Sequence, residues 1–351
     1  TGNITQGQVL AVTGASTFVV GATGSNIVLD HASNAFSNSV TMKAGTAGDQ
    51  AFGNIGFVDS AAVVIQTSAD TNADGELLID GSTDGVVGGT LSIKANGDIT
   101  QNIDLAVAGT TTLEAGSNAI TLNRPDNNFS TVIITSGGDV ALRDAGAIEL
   151  GASTVTGTYS VTAAGAITES GDLAITGVTT LVAGSHAITL DRTGNNFQAA
   201  VIVTSGGNVQ LVDTNAIILG ASTVTGTYAV TATSGNITAD SGALIITGAS
   251  TFTVGANESN IVLNYATHAF SNSVTLKVGS GGGGTFGDIT FVDSEGAVDL
   301  DSSASANGDL YIDASTDGAV GGTLSIKANG VITQNVNLAV TGTTTLEAGG
   351  N

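Results

Sequence analysis

The 351-residue sequence has 50 glycines, one proline, no cysteine and no tryptophan, and 41% of its residues are hydrophobic although few are aromatic. Thirty acidic residues against seven basic ones give a formal net charge of -23, which argues against nucleic acid or an anionic membrane as a partner. The absence of cysteine excludes a disulfide framework, and no apolar run is long enough for a membrane-spanning helix, so we expect no membrane insertion of this segment.

Tandem repetition organises the chain. The stretch GASTVTGTYSVTAAGAITESGDLAITG at 151–177 returns as GASTVTGTYAVTATSGNITADSGALIITG at 220–248. A repeat of about 70 residues lies inside a longer one of about 233, which is typical of stacked structural units. We therefore interpret 1–351 as a single continuous domain with five internal units, the last of them partial: 1–98, 99–166, 167–236, 237–331 and 332–351.

The first unit consists of short apolar clusters that alternate with a period of two and are bounded by Gly, Asn, Asp or Ser. This pattern predicts strands with one buried face, and no segment has a helical period. The residues predicted to point inward in this unit are Leu10, Val12, Ile27, Leu29, Val40, Met42, Ile55, Phe57, Leu91 and Ile93.

The second unit repeats the pattern in fewer residues. Its predicted inward residues are Leu105, Val107, Leu113, Ile120, Leu122, Val132, Ile134, Val140, Leu142, Ile148, Leu150, Tyr159 and Val161. The third unit matches it at an offset of 68 to 71 residues, so Phe129 corresponds to Phe197 and Asp144 to Asp213. The long unit returns from residue 237.

Each unit divides into stretches of three short strands joined by turns. Three strands that close into a coil, stacked in parallel at about 4.8 Å, would bury the inward side chains in continuous ladders. The sequence therefore predicts an all-β fold, a right-handed parallel β-helix with about three short strands per coil. It would have about thirteen or fourteen coils and a length of about 65 Å. An immunoglobulin-like sandwich is the alternative, but it requires longer strands and usually a buried tryptophan.

Two stretches carry a resemblance to a known family: ITESGDLAITGVTTLVAGSHAITL at 167–190 and NNFQAAVIVTSGGNVQLVDTNAIILGASTVTG at 195–226. They resemble the β-strand repeat regions of large secreted proteins related to filamentous haemagglutinin. The resemblance covers essentially the whole chain. It implies a β-helical fibre or stalk at the cell surface of a Gram-negative-type bacterium, exported by two-partner secretion or as an autotransporter. The sequence has no haemagglutinin-type secretion domain, so we interpret it as an internal segment of a longer array or as a subunit joined end to end.

Calcium is the one cofactor with a local motif. Residues 70–76 read DTNADGE and match the first half of a calcium loop, but Gly81 stands where the closing bidentate acid belongs. The copy at 302–309 reads SSASANGD and lacks two of the acids. A polar turn explains the motif better, and a calcium-stabilised repeat is kept as a third hypothesis.

Other chemistry-bearing residues are also explained by the fold. The recurrent Asp59, Asp144, Asp213 and Asp293 follow strands, as turn-forming aspartates do, and do not make the acid cluster of a polysaccharide-cleaving β-helix. We assign three histidines to the surface or turns, four phenylalanines to one end of the core, and four lysines to strand ends without a cross-linking partner. These are His31, His186 and His268; Phe36, Phe129, Phe197 and Phe270; and Lys43, Lys94, Lys277 and Lys327. The glycine-rich 279–284 lacks the lysine and helix of a phosphate loop.

The sequence thus predicts no catalytic, cofactor-binding or metal-binding residues and no enzymatic activity. The leading hypothesis is a structural segment of an extracellular adhesin, stalk or filament. Its partners would be flanking repeats or identical subunits end to end, with host or environmental glycans or other cell surfaces as further candidates. The alternative is a carbohydrate-binding or carbohydrate-cleaving β-helix, with a groove formed by loops 44–54, 66–76 and 278–287.

Overall fold

The computed structural model describes residues 2–45, 50–66, 75–81, 83–239, 241–279, 284–314 and 316–349. These residues form strands and turns and contain no helix, as predicted. The paired strands are parallel throughout, and the all-β parallel β-helix is confirmed. The chain comprises two compact units, Thr1–Thr176 and Gly177–Asn351, which are called the first and the second unit from here on and are distinct from the five repeat units.

The described residues of the first unit form 21 strands. They are β1 (Ile4–Thr5), β2 (Ala11–Val12), β3 (Ser16–Val20), β4 (Ser25–Leu29), β5 (Ala35–Phe36), β6 (Val40–Ala44), β7 (Phe52–Asp59), β8 (Val63–Gln66), β9 (Glu76–Asp80), β10 (Val86–Val87), β11 (Leu91–Ala95), β12 (Ile99–Gln101), β13 (Ala106–Glu114), β14 (Ile120–Leu122), β15 (Asn128–Ser136), β16 (Val140–Asp144), β17 (Ile148–Leu150), β18 (Ser153–Val155), β19 (Tyr159–Ala163), β20 (Ile167–Glu169) and β21 (Leu173–Ile175).

In the part of the second unit that the structure describes there are 22 strands. They are β22 (Thr179–Val182), β23 (Ile188–Leu190), β24 (Asn196–Phe197), β25 (Val201–Ser205), β26 (Val209–Asp213), β27 (Ile217–Ile218), β28 (Ser222–Val224), β29 (Tyr228–Ala232), β30 (Ile237–Ala239), β31 (Leu244–Ile246), β32 (Ser250–Val254), β33 (Ile261–Leu263), β34 (Ala269–Phe270), β35 (Val274–Val278), β36 (Ile289–Asp293), β37 (Val298–Asp301), β38 (Asp309–Asp313), β39 (Ala319–Val320), β40 (Leu324–Ala328), β41 (Ile332–Gln334), β42 (Ala339–Val340) and β43 (Thr344–Ala348).

The coil of three strands is clearest near the end of the first unit. Strands β16, β17 and β18 are followed by β19, β20 and β21, and each strand pairs with the one three places later. Val140 lies beside Tyr159 and Ile148 beside Ile167, so like positions stack on like. Period-two alternation places one side of each strand inward and the other in solvent.

The second unit repeats this arrangement. Its strands form the series β26–β29–β32–β35, the series β27–β30–β33–β36 and the series β28–β31–β34. Tyr228 pairs with Ser250, and Ser250 pairs with Val274. Coil length varies between these pairs while the pairing register is kept.

One strand in each unit is inserted out of chain order, which the simple stacking model does not predict. In the first unit β9 follows β8 in the chain but lies between β6 and β8, with Ile65 paired to Leu77. In the second unit β38 lies between β35 and β37, with Leu300 paired to Leu310. The longest coils are therefore long because they carry an extra strand.

The predicted core is largely confirmed. From Ile27 to Val161, every residue predicted to point inward is buried. Leu10 and Val12 are only half-buried, because the described residues cover β2 on one side alone, through β5. The four phenylalanines assigned to the core are buried, and Phe36 and Phe270 stack on Phe57 and Phe291 at centroid distances of 5.4 and 5.3 Å.

Candidate functional site

The recurrent aspartates bind backbone within and between coils. Asp144 Oδ1 accepts from the backbone N–H of Gly146 at 2.7 Å, and Oδ2 accepts from the N–H of Phe129 in the preceding coil at 2.6 Å. Asp213 makes the same two bonds, to Asn215 and Phe197. The prediction of turn-forming aspartates is confirmed, with a link across coils added to it.

These carboxylates are nevertheless in an unusual electrostatic environment. Asp144 and Asp213 are buried, and desolvation raises their pKa, against the opposing effect of the hydrogen bonds that they accept. Desolvation is also the main cause that raises the pKa of Asp293. Each aspartate belongs to a different coil, and Asp59 and Asp293 accept from Phe36 and Phe270 in the same manner, so these groups serve the fold and are not assembled into a catalytic pair.

A second polar position links the coils through side-chain amides. Asn34 Oδ1 accepts from Leu10 N–H, and its amide exchanges hydrogen bonds with Gln6. Asn127 makes the same bonds with Leu105 N–H and Gln101. Both asparagines are fully buried, so each Gln–Asn pair satisfies the polar groups of a buried amide, although Gln6 itself is half-buried.

His268 occupies the equivalent position in the second unit. Its Nδ1 accepts from Leu244 N–H at 2.9 Å, and its Nε2 lies 2.9 Å from the carbonyl oxygen of Ala239. Ala239 stands at the position that Gln6 and Gln101 occupy in their own coils. The side chain is fully buried. The sequence placed His268 at the surface or in a turn. Its N–H donates to the carbonyl of Tyr265, so it closes a turn, but its side chain is not at the surface. His186 is exposed and His31 is half-buried.

An asparagine and aspartate ladder runs along an outer corner of the coils. Asn3 Oδ1 accepts from Asn26 N–H, Asn26 Oδ1 from Asn54 N–H, and Asn54 Oδ1 from Thr90 N–H, at 2.7 to 2.9 Å. In the second unit the ladder consists of Asn236, Asn260, Asp288 and Thr323. Sequence reasoning missed it, although an Asn or Asp directly before an inward Ile or Val, about once per coil, is its visible signal.

The lysines predicted at strand ends form ion pairs with acids in register on the neighbouring strand. Lys43 Nζ lies 2.9 Å from Asp80 and Lys277 Nζ lies 3.4 Å from Asp313. Two further pairs, Lys94–Glu114 and Lys327–Glu347, have the same geometry. Arg124 pairs with Asp104. With these cations neutralised, the outward charge that remains is strongly negative.

The acidic group best suited to a metal is formed by Asp299, Asp301 and Asp309. One carboxylate oxygen from each lies within 4.8 Å of the other two. Such oxygens suit a hard cation, but Ca²⁺ takes about six to eight ligands, and Asp309 and Asp299 already accept from Ser305 and Asn335. The predicted motif at 70–76 lies mainly outside the described residues, which omit 67–74.

The counterpart strands of the first unit carry Val64 and Gln66 where the second has Asp299 and Asp301, as the pairing of β8 with β9 shows. There a single carboxylate, Glu76, accepts from Gln66 at 2.8 Å. Among the described residues, the three-acid group is therefore found in one copy of the repeat only.

A cavity with a volume of about 400 Å³ lies in the first unit. It is lined by Asp84, Asp104, Arg124 and Asp126 over apolar Ile103 and neighbouring side chains. Burial, and then the nearby Asp80, raises the pKa of Asp84. None of the described residues in the loops predicted to form a groove, 44–54, 66–76 and 278–287, lines this cavity.

The repeated geometry agrees with a comparison against known families. A family model described as repeats of unknown function (DUF5649) matches residues 1–43, 67–136, 137–204, 206–277 and 287–351. The chain belongs to this family. No curated protein and no solved structure matches the chain.

The DUF5649 copies agree with the short period in the sequence, since the last four matched segments are 65 to 72 residues long. The matched segments number five, like the repeat units predicted from the sequence. After the first, each segment begins at a different residue from the corresponding predicted unit. The family description names no activity. None of the described residues belongs to a helix that is long and apolar enough to cross a membrane.

Proposed function

We propose that this DUF5649 chain is a structural segment of an extracellular cell-surface adhesin, stalk or filament and has no catalytic activity of its own. One observation carries the proposal: the polar side chains that recur from unit to unit bind the backbone or side chains of a neighbouring coil. Asp144, Asn127 and Asp139 each form such hydrogen bonds. Residues used by the fold at every repeat are typical of a scaffold.

The location outside the cell is supported by two features. The repeats at 167–190 and 195–226 resemble those of filamentous-haemagglutinin-like proteins of Gram-negative-type bacteria. The net charge of -23 suits a surface that must resist nonspecific association with polyanions. Flanking repeats or identical subunits would be its end-to-end partners, because parallel edge strands pair readily with another strand.

Two measurements test the proposal. Negative-stain microscopy of the purified chain should show elongated particles, and compact globules would contradict it. Brief protease treatment of intact cells that produce the native protein should release peptides from this segment. Release only after lysis would contradict the surface location, with a cytoplasmic protein as the control in both samples.

Carbohydrate binding is the second candidate, and the 400 Å³ cavity beside Arg124 favours it. Charged and polar groups placed over an apolar floor are the usual composition of small-ligand sites. A panel of neutral and acidic glycans should show no binding if the chain is a scaffold alone. Binding that Arg124→Ala abolishes, while Arg143→Ala leaves it intact, would establish the second candidate, and release of reducing ends would extend it to cleavage.

A further inference from the structure

The buried imidazole of His268 makes the second unit differ from the first. At the equivalent position Asn34 and Asn127 present an amide, which does not titrate between pH 4 and 8. The imidazole of His268 performs the same task with a group that does titrate in this range. The replacement therefore adds a pH-dependent element to a position that is otherwise insensitive to pH.

The hydrogen bonds of His268 fix its tautomer. Leu244 N–H can only donate, so Nδ1 must be unprotonated, and Nε2 must carry the proton that it donates to the carbonyl of Ala239. Adding a proton at Nδ1 would place N–H against N–H at a fully buried position. Two buried donors that face each other lose their hydrogen bond and leave the Leu244 amide without an acceptor.

Among the described residues, no charged side chain contacts the imidazole of His268 directly. The rings of Tyr265 and Phe270 lie 6.0 Å from the imidazole. Two carboxylates near this corner are already engaged, since Asp293 accepts from Phe270 N–H and Glu295 accepts from the Ser271 hydroxyl. Lys327 and Glu347, which line a cavity with Ala266 of the same corner, form an ion pair with each other.

We propose that His268 is an acid-sensitive latch: protonation of its Nδ1 breaks the bond from Leu244 and opens the corner formed by residues 264–271. This corner also holds Ser294, whose N–H donates to the carbonyl of His268, and Phe270, which stacks on Phe291. Opening would loosen the contact among three successive coils. The inference does not depend on the proposed adhesin function, since it concerns the stability of one corner.

The sign of the pH effect follows from burial. Desolvation lowers the pKa of His268 below its usual value of 6.5, and the hydrogen bond to Ala239 only partly opposes this. Between the lowered value and 6.5 the open form binds more protons than the closed form, so the closed form loses stability as the pH falls through this window.

Hydrogen exchange tests the proposal on the intact chain. Between pH 7.5 and 5.5 the protection factor of the Leu244 amide, corrected for the intrinsic exchange rate, should fall about tenfold. The Leu105 amide, bound to Asn127, is the matched control and should be unchanged. Equal changes at the two amides would overturn the proposal.

A double substitution provides the second arm. Ala239→Gln with His268→Asn recreates the pair that Gln101 and Asn127 form, and it should abolish the pH dependence at Leu244. A dependence that persists in the folded double variant would overturn the latch. Should the variant not fold, an NMR titration of the native chain decides the matter: the imidazole of His268 must titrate below the usual value of 6.5, and titration at or above 6.5 would refute the proposal.

Discussion

Two tyrosines show how narrow the interior of a coil is. Tyr159 and Tyr228 are fully buried, and their hydroxyl oxygens make no hydrogen bond within the described residues. The Ser153 hydroxyl near Tyr159 instead donates to Gly151 and accepts from Ile134. Burial raises the pKa of both phenols, so they stay neutral at any physiological pH. The rings contribute packing, and the hydroxyls carry a desolvation cost.

Removing one of these hydroxyls should therefore do no harm. Tyr159→Phe keeps the ring and removes an unsatisfied buried group, so we expect stability to be unchanged or to rise by up to about 1 kcal/mol. Urea denaturation followed by circular dichroism measures this. The same change at half-exposed Tyr265 is the control, and a loss above 1 kcal/mol at Tyr159 would show that its hydroxyl has a partner.

Asp144 should behave in the opposite way. Asp144→Ala leaves the N–H groups of Phe129 and Gly146 without acceptors, which we expect to lower the unfolding free energy by about 2 to 4 kcal/mol. Asp144→Asn keeps one acceptor oxygen and removes a buried charge, so its loss should be smaller. Equal losses for the two variants would contradict the assignment of two accepted bonds.

The pH dependence of this residue also has a definite sign. Its pKa in the folded state is raised above 3.8, so between 3.8 and that value the folded chain binds more protons than the unfolded chain. The stability contributed by Asp144 therefore falls as the pH rises through that window. The stability difference between the native chain and Asp144→Asn should show this slope in urea titrations between pH 3.5 and 6, and a slope of the opposite sign would refute it.

At the scale of the strand, the outer ladder joins neighbouring coils through an Asn or Asp that directly precedes the first inward residue of a strand. Asp139 Oδ1 accepts from both the N–H and the hydroxyl of Thr158, and Asn208 does the same for Thr227. The N–H bond, and then the hydroxyl bond, lowers the pKa of Asp139. Because both Asn and Asp occur at this position, the accepting oxygen is what matters and the charge is secondary.

Substitutions at Asp139 test this statement. Asp139→Asn should retain the denaturation midpoint at pH 7, whereas Asp139→Ala should lower it. Since the folded pKa is depressed, the contribution of Asp139 is present above pH 3.8 and is lost as the pH falls below it. The Asn variant should lack this acid loss. A midpoint that drops equally in both variants would show that the charge is required.

The ladder also explains why glycine recurs one residue before its next member. A Cβ at Gly157 would overlap Asp139 Oδ1 and the backbone of Gly138 and Asp139. Gly14 stands at the same place in its own coil, and a Cβ there meets no atom within 4 Å. The close approach of two coils, and not backbone conformation, therefore selects glycine at 157.

Two alanine substitutions separate these cases. Gly157→Ala should destabilise the chain by about 1 to 3 kcal/mol because the neighbouring coil must move. Gly14→Ala should be neutral or slightly stabilising because the unfolded chain loses freedom. Thermal or urea unfolding measures both, and a neutral result at 157 would show that the coil yields easily.

At the scale of the whole chain, electrostatics are dominated by net charge. Ion pairs such as Lys94–Glu114 are half-exposed and each contributes little. Repulsion among the remaining acids acts over the Debye length, which shortens from about 30 Å at 0.01 M salt to about 8 Å at 0.15 M.

Stability should therefore increase with salt. We expect a higher melting temperature at 0.15 M than at 0.01 M NaCl, measured at one pH and one protein concentration. If ion pairs dominated, the temperature would fall instead. Lys94→Gln removes one pair, and it should steepen the increase with salt.

The fold was predictable because alternation of Val, Ile and Leu with polar residues needs no knowledge of coil length. Pairs across coils were not. Lys43 meets Asp80, 37 positions on, whereas Lys94 meets Glu114, 20 positions on, so no single period reveals both. The burial of His268 was not predicted because its contact lies with a distant alanine at 239. The strands β9 and β38 escaped prediction because their place in the stack reverses their order in the chain.

The insertion of β38 between β35 and β37 has a consequence for how such repeats diversify. A coil can gain a complete strand, with Val274 paired to Leu310, and the strands around it still meet their usual neighbours. Selection can thus lengthen one turn and alter what it displays while the interior stays as it was. New recognition properties can arise in this lineage by local growth of single turns, without a redesign of the scaffold.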